Sequence, residues 1–141
     1  MEIADAHNAY RRAVNASIPD LAYSISLEAG AQIHADYLSA NLLFQHSSGS
    51  GFGENIWMGG IGSTPTNMIS GFGNEKQYFK YGLFPDSVST TGSWFAVGHY
   101  TQIIWRNTKS VGCAVANASN GSARYVCRYD PPGNYVGQYV Y

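Results

Sequence analysis

The clearest pattern along the chain is a stripe of apolar residues at Leu27, Ala31, Ala35, Leu38 and Leu42, spaced four, four, three and four. That spacing keeps one face of a helix buried, and Ser26 is placed to cap its start. An earlier helix is expected from about Ile3 to Asn15, carrying Ala6, Ala9, Tyr10 and Ala13, with Pro19 in the connection that follows. Thr64-Pro65 reads as a cap and first turn, opening a third helix that runs to about Phe79, weakened by Gly71 and Gly73. Its apolar face would hold Met68, Phe72 and Phe79, and Glu75 lies inside that stripe.

Between these helices the patterning changes. Ser47 to Gly53 is rich in glycine and serine and reads as loop, Asn55 to Met58 as a short strand, and Gly59 to Ser63 as loop. Tyr81 to Val97 is a long loop, and Tyr100 to Trp105 suits either a short helix or a strand. Val111 to Ala116 and Arg124 to Tyr129 read as two strands joined by the turn-rich stretch Asn117 to Ser122, which sets Cys113 and Cys127 across the ladder from each other. Oxidation of this pair is expected. After Pro131-Pro132-Gly133, the alternation of Tyr135, Gly137 and Tyr139 predicts a last, half-buried strand from Tyr135 to Tyr141. Three helices around a small, mostly antiparallel sheet is an α+β arrangement.

Length and composition narrow the function classes. At 141 residues the chain is most simply one domain, residues 1–141, and 45% hydrophobic against 12% charged residues argues against disorder. A net charge of −1 without any Lys/Arg run argues against nucleic acid as a partner. No apolar run is long enough to span a bilayer. No signal peptide opens the chain, and the start reads as that of a mature form. Eleven Tyr, sixteen Gly, a single cysteine pair and three sequons, at Asn15, Asn117 and Asn120, fit an extracellular surface.

Four residues stand out chemically. A carboxylate at Glu75 inside an apolar stripe needs cationic, metal or hydrogen-bonding partners if it faces inward; a shifted helix register would instead leave it in solvent. His46 ends an apolar segment, Glu54 follows eight residues on, and His99 opens the tract Gly98 to Trp105. Two histidines and two glutamates can form a divalent-cation site or a hydrogen-bonded acid–base cluster, although their spacing matches no short metal motif. His7 and His34 read as structural, His34 alternatively as exposed. There is no GxSxG elbow for a serine hydrolase, paired cysteines leave no thiol nucleophile, and only Glu54 and Glu75 offer a carboxylate pair for a glycosidase.

Several tracts together carry a family resemblance. GHYTQIIW, Gly98 to Trp105, and YVCRYDPPGNYVGQ, Tyr125 to Gln138, are similar to the two signatures of the CAP superfamily, the cysteine-rich secretory, antigen-five and pathogenesis-related group-one proteins. His7-Asn8-x-x-Arg11, Leu27 with Ala31 and Gln32, Gly53-Glu54-Asn55-Ile56 and Asn74 to Tyr78 resemble further family motifs in the right order. The resemblance implies an α-β-α sandwich of three to four helices and a secreted, monomeric protein. It implies that His46, Glu54, Glu75 and His99 line a central cavity where His46 and His99 hold zinc or another divalent ion weakly, with no required cofactor and no accepted catalytic role. It implies action in defence, virulence or wall biology, with a sterol or fatty acid, or a host or microbial cell-surface component, as partner. Phe79, Tyr81, Phe84 and Val88 are the candidate lipid-contacting residues, though Asp86, Ser87 and Val88 stand where sterol-binding fungal relatives carry a final aromatic. The last eleven residues, Pro131 to Tyr141, resemble a defence peptide that plant relatives release, against the plainer reading of a strand that closes the sheet.

Overall fold

The computed structural model describes residues 2–141. Four helices, α1 (Glu2–Ala13), α2 (Ile25–Ala40), α3 (Pro65–Gly73) and α4 (Gly98–Ile104), surround a sheet of β1 (Ala22–Tyr23), β2 (Gly53–Gly60), β3 (Ser110–Asn117) and β4 (Ser122–Asp130). The strand order is β1-β3-β4-β2, with β1 parallel to β3 and the other pairs antiparallel. Helix α2 covers one face, and α1, α3 and α4 pack together on the other. This is the expected α+β sandwich. It carries four helices, and β1, which the patterning does not reveal, adds a parallel edge.

Period-two alternation along β4 builds both cores. Tyr125, Cys127 and Tyr129 join Met68, Phe72, Ile103 and Trp105 on the three-helix side. Val126 joins Ala31, Ala35, Leu38, Ile56 and Ala114 beneath α2. Cys113 and Cys127 are register partners and form the disulfide. Gly112 lets α2 settle on β3: a Cβ there would lie 2.3 Å from the Glu28 amide nitrogen and 2.5 Å from the Ser24 carbonyl oxygen.

Several boundaries differ from expectation for local physical reasons. The cap of α2 is Ser24, whose Oγ accepts from the Leu27 amide at 3.2 Å, and Ser26 lies exposed in the first turn. The helix stops short of Leu42, which takes φ 53°, while the Leu43 amide donates back to the Leu38 carbonyl and the Leu42 amide to that of Ser39. This left-handed C-terminal closure leaves Leu42 exposed and half-buries Leu43. Helix α3 ends at Gly73 and tightens into a 3₁₀ turn, Asn74–Tyr78, so Glu75 sits on that turn and not on an α-helix. Glu54 lies within β2, which is longer at both ends than expected. The tract after Val97 is helical.

The largest departure is the C-terminus. Tyr135 to Tyr141 forms no strand of the sheet; it makes a single bridge, Leu83 to Tyr139. Pro131 and Pro132 have no N–H to donate, so the β4 ladder cannot continue through them. The segment instead packs along the 79–97 loop, with Val140 buried and its carbonyl accepting from the Arg106 amide at 2.9 Å.

Helix α1 supplies the polar anchors of the interior. Asn8 makes a two-way amide clamp on Leu21, donating at 3.0 Å and accepting at 2.7 Å. Arg11 is completely buried and donates to the carbonyls of Pro19, Ile103, Trp105, Arg106 and Thr108 at 2.7–3.3 Å. Burial lowers its pKa to about 10, which still leaves it charged at neutral pH. His7, also completely buried, bonds the Ile3 carbonyl through Nδ1 and the Tyr129 hydroxyl through Nε2, both at 2.8 Å. His34 is buried with Nε2 on the Gln45 carbonyl at 2.9 Å. Both histidines are structural.

Two outcomes follow from these anchors. An Arg11→Met protein strands five backbone acceptors at once. At roughly 1–3 kcal/mol for an unsatisfied buried group, urea unfolding should show at least about 3 kcal/mol lost. An unchanged midpoint would remove the anchor role. His7 generates a pH dependence. Burial, reinforced by the nearby Arg11 charge, lowers its pKa from 6.5 to about 4 despite the Ile3 bond. The unfolded chain therefore binds the extra proton first, and stability is lost as pH falls from about 6.5 to about 4. The total is about 3 kcal/mol at about 1.4 kcal/mol per pH unit. In a His7→Gln protein, unfolding measured across that window should lose this slope.

Candidate functional site

The four singled-out side chains form two imidazole–carboxylate pairs. Glu54 projects from β2, and its Oε1 lies 2.8 Å from His46 Nδ1. Ser47 donates to the same carboxylate from its amide at 2.9 Å and its hydroxyl at 2.6 Å. Arg128 Nε lies 3.6 Å from Oε2, an ion pair and not a hydrogen bond. Burial by itself would raise the Glu54 pKa, but the bonds from His46 and Ser47 outweigh it and hold the group at about 2. Glu54 is therefore a carboxylate at any physiological pH.

Glu75 performs a second task beyond its pairing with His99. Helix α4 opens at Val97, which supplies no side-chain cap. The Glu75 Oε1 fills that role from a distant turn, accepting from the His99 amide at 2.9 Å and the Tyr100 amide at 3.0 Å. Its other oxygen lies 2.8 Å from His99 Nδ1. A carboxylate on the first-turn amides of a helix satisfies orphan donors and complements the helix dipole. The inward-facing reading of Glu75 thus holds, with a side chain only 19% exposed, even though the α-helix ends before it. Phe72 stacks on the His99 ring at 4.7 Å and 8°. Asn55 donates to the His99 carbonyl at 3.1 Å and to the Tyr129 hydroxyl at 3.2 Å. Tyr129 in turn contacts His7, so a buried polar chain runs from α1 to the site.

His46, Glu54 and His99 line one cleft of about 230 Å³, together with Asn55, Trp94, Phe95, Gly98 and Asn134, while Glu75, expected among them, lies outside that lining because its oxygens are taken up by the α4 amides and His99. Sequence patterning alone assigned no role to Trp94, Phe95 and Asn134. Asn134 has φ 58°, donates to the Gly98 carbonyl at 2.9 Å and accepts from the Thr101 hydroxyl at 2.7 Å, so the C-terminal segment forms part of the cleft wall. The Pro-x-Gly-Asn tract held that signal; the exposed Phe95 had none in periodicity.

The lipid candidates lie apart from the cleft lining. Phe84 and Val88 are buried in the three-helix core, and Phe79 packs against it. Tyr81 is exposed, stacks on Tyr139 at 5.0 Å and meets Tyr141 in a tilted contact at 4.9 Å. Phe84 and Val88 are therefore core residues and not an open lipid-contacting surface. Asn15, Asn117 and Asn120 are all exposed.

Two groups of donor atoms bear on cation binding. His46 and His99 each turn Nδ1 to a carboxylate, the arrangement that orients metal-binding imidazoles. Among the described residues no hydrogen bond engages either Nε2. Ligand-type atoms of His7, Cys113 and Cys127 also come within 4.8 Å of one another. Both sulfurs there are joined in the disulfide and the imidazole is committed on both nitrogens, so that cluster has no free ligand.

A three-layer α-β-α sandwich carrying paired histidines and glutamates is the architecture of a CAP domain. The chain belongs to the CAP superfamily: the model of the cysteine-rich secretory protein family matches residues 4–129. It is 38% identical over 138 residues to pathogenesis-related protein 1C of Nicotiana tabacum, covering 97% of this chain and 77% of the relative. It is 33% identical to pathogenesis-related protein 1 of Arabidopsis thaliana, over 97% and 79% of the two chains. Among solved structures, NaASP2 with Zn2+ matches at TM-score 0.78 and 27% identity, over 99% of this chain and 83% of that one. No helix of the described residues is long and apolar enough to cross a membrane.

The Glu75 cap yields a direct outcome. Glu75→Ala should lower stability by about 1–3 kcal/mol, since two helix amides and an imidazole lose their acceptor. Hydrogen exchange should quicken first at the His99 and Tyr100 amides. Unaltered protection there would show that α4 does not depend on the carboxylate.

Proposed function

We propose that this chain is a secreted, non-enzymatic defence-type protein that engages a host or microbial cell-surface component. In this reading it holds a divalent cation such as zinc weakly between His46 and His99. The observation that carries the cation is the pairing of each Nδ1 with a carboxylate on a shared cleft, which leaves two Nε2 atoms as ligands. Two protein ligands are fewer than the three or four of tight zinc sites, which accounts for weak binding. The crystal structure of the similar protein NaASP2 with Zn2+ supports the same choice of ion. The likeness to plant pathogenesis-related proteins supports defence as the setting. The buried disulfide and the exposed sequons agree with an extracellular compartment.

A lipid or sterol carrier draws less support. The cleft of about 230 Å³ falls below the roughly 300–1,000 Å³ of sites that enclose a drug-sized ligand. The loop residues that reading needs at the surface, Phe84 and Val88, are spent in the core. The C-terminal segment is likewise committed within the fold: Gly133 donates to Gln102 at 2.9 Å, and Asn134 and Val140 are anchored. Its first role is therefore structural, and signalling by a released peptide comes second to it.

Calorimetry with zinc tests the cation. The wild-type protein should give weak binding that fades as the pH is lowered, because proton and metal compete for the same nitrogens. A His46→Ala, His99→Ala protein should lose the heat, and an unchanged titration in that variant would place the cation elsewhere.

A further inference from the structure

The cleft has an aromatic rim that cation binding leaves unused. Phe95 is 75% exposed, yet its ring stacks on Trp94 at 4.5 Å and 25°. Trp94 is braced from behind by Phe84 at 5.4 Å. Gly98 makes room for it: a Cβ there would come within 2.7 Å of the indole. A single exposed aromatic is ordinary on a protein surface. This one is rigidly backed, lies in a concave site and has polar side chains across from it, which is the usual composition of a small-ligand pocket.

Hydrogen-bond accounting narrows the ligand. The Asn55 amide is committed to the His99 carbonyl and Tyr129, and the Asn134 amide to the Gly98 carbonyl. Each imidazole faces its glutamate through Nδ1, so in the neutral ring Nε2 is an acceptor. Apart from the second N–H of Asn134, the open valences are therefore acceptor lone pairs beside an aromatic face. A fitting ligand carries hydroxyl donors along its edge and an apolar C–H face. The Glu54 carboxylate in the lining disfavours an anionic ligand. At about 230 Å³ the cleft admits one ring and not a sterol or a long acyl chain.

We infer that the cleft binds one pyranose ring of a neutral oligosaccharide, stacked on Phe95 with its hydroxyls donating to Nε2 of His46 and His99. This rests on the reading of the chain as a cell-surface recognition protein and gives its partner a chemical class. Sugar and cation draw on the same nitrogens, so the test is run with metal removed by EDTA. Hexamers of β-1,3-glucan, β-1,4-glucan and β-1,4-linked N-acetylglucosamine are titrated by calorimetry, with tryptophan fluorescence as a second readout. At least one hexamer should bind. Phe95→Ala should weaken it roughly tenfold, the scale of one lost aromatic contact, and Phe95→Tyr should retain it. The Phe95 ring is largely in solvent, so the variant keeps the fold, and its zinc titration should match the wild type. That separates failure of the sugar site from failure of the cation site. Absence of binding by all three hexamers, or equal binding by Phe95→Ala, would overturn the inference.

Discussion

Helix α4 is the element on which the candidate site hangs, and it cannot stand by itself. It has seven residues, well short of the roughly 12–15 at which an isolated helix becomes even marginal in water. Both of its ends are completed by side chains from elsewhere. Glu75 takes the first-turn amides, and Arg11 takes the carbonyls of Ile103 and Trp105 at the far end. A negative group at the start and a positive group at the end also match the helix dipole. One carboxylate and one guanidinium, 64 positions apart in the sequence, thereby clamp a short helix between the 3₁₀ turn after α3 and the interior face of α1.

This clamp ties the site to the stability of the fold. His99 rides on the capped turn, and Glu75 both caps that turn and orients the imidazole. Glu54 and His46 form the second pair on β2 and the loop before it, with the carboxylate kept ionised by the bonds from His46 and Ser47. Each glutamate is spent on positioning: Glu75 on the first-turn amides of α4 and on His99, Glu54 on His46 and Ser47. Glycoside hydrolysis needs one carboxyl group held protonated near neutral pH, and Glu54 is driven in the opposite direction.

The interior of the three-helix side is more polar than its composition suggests. His7, Asn8, Arg11, Asn55 and Thr101 are all buried, and each has partners in the structure. Buried polar groups of this kind specify one arrangement, because every alternative leaves donors or acceptors stranded. The His7–Tyr129–Asn55 connection ends on the His99 carbonyl, so the seating of α1 and the geometry of the cleft are decided together.

Read alone, the sequence determined the layers and the identity of the paired residues. The Leu27–Ala31–Ala35–Leu38 stripe marks α2 because burial on one helical face imposes that spacing. The Cys113 and Cys127 strands show themselves by alternation, and Glu75 by being a charge inside an apolar stripe. The tracts around Glu54 and His99 were legible as motifs. Tertiary structure decided the rest, for reasons that no local window contains. The two-residue β1 is too short to have a period and exists because Ser110 and Val111 offer it an edge. The end of α2 depends on Leu42 adopting a left-handed turn that its side chain does not advertise. The C-terminal segment alternates like a strand, yet after two prolines its partners are Gln102, Thr101, Arg106 and the 79–97 loop and not the sheet. Phe84, Val88 and Phe95 all fall in the segment read as one long loop, yet the first two are core and Phe95 stands in solvent. Apolarity is written in each residue, but which apolar side chains are covered depends on contacts between segments far apart in the chain.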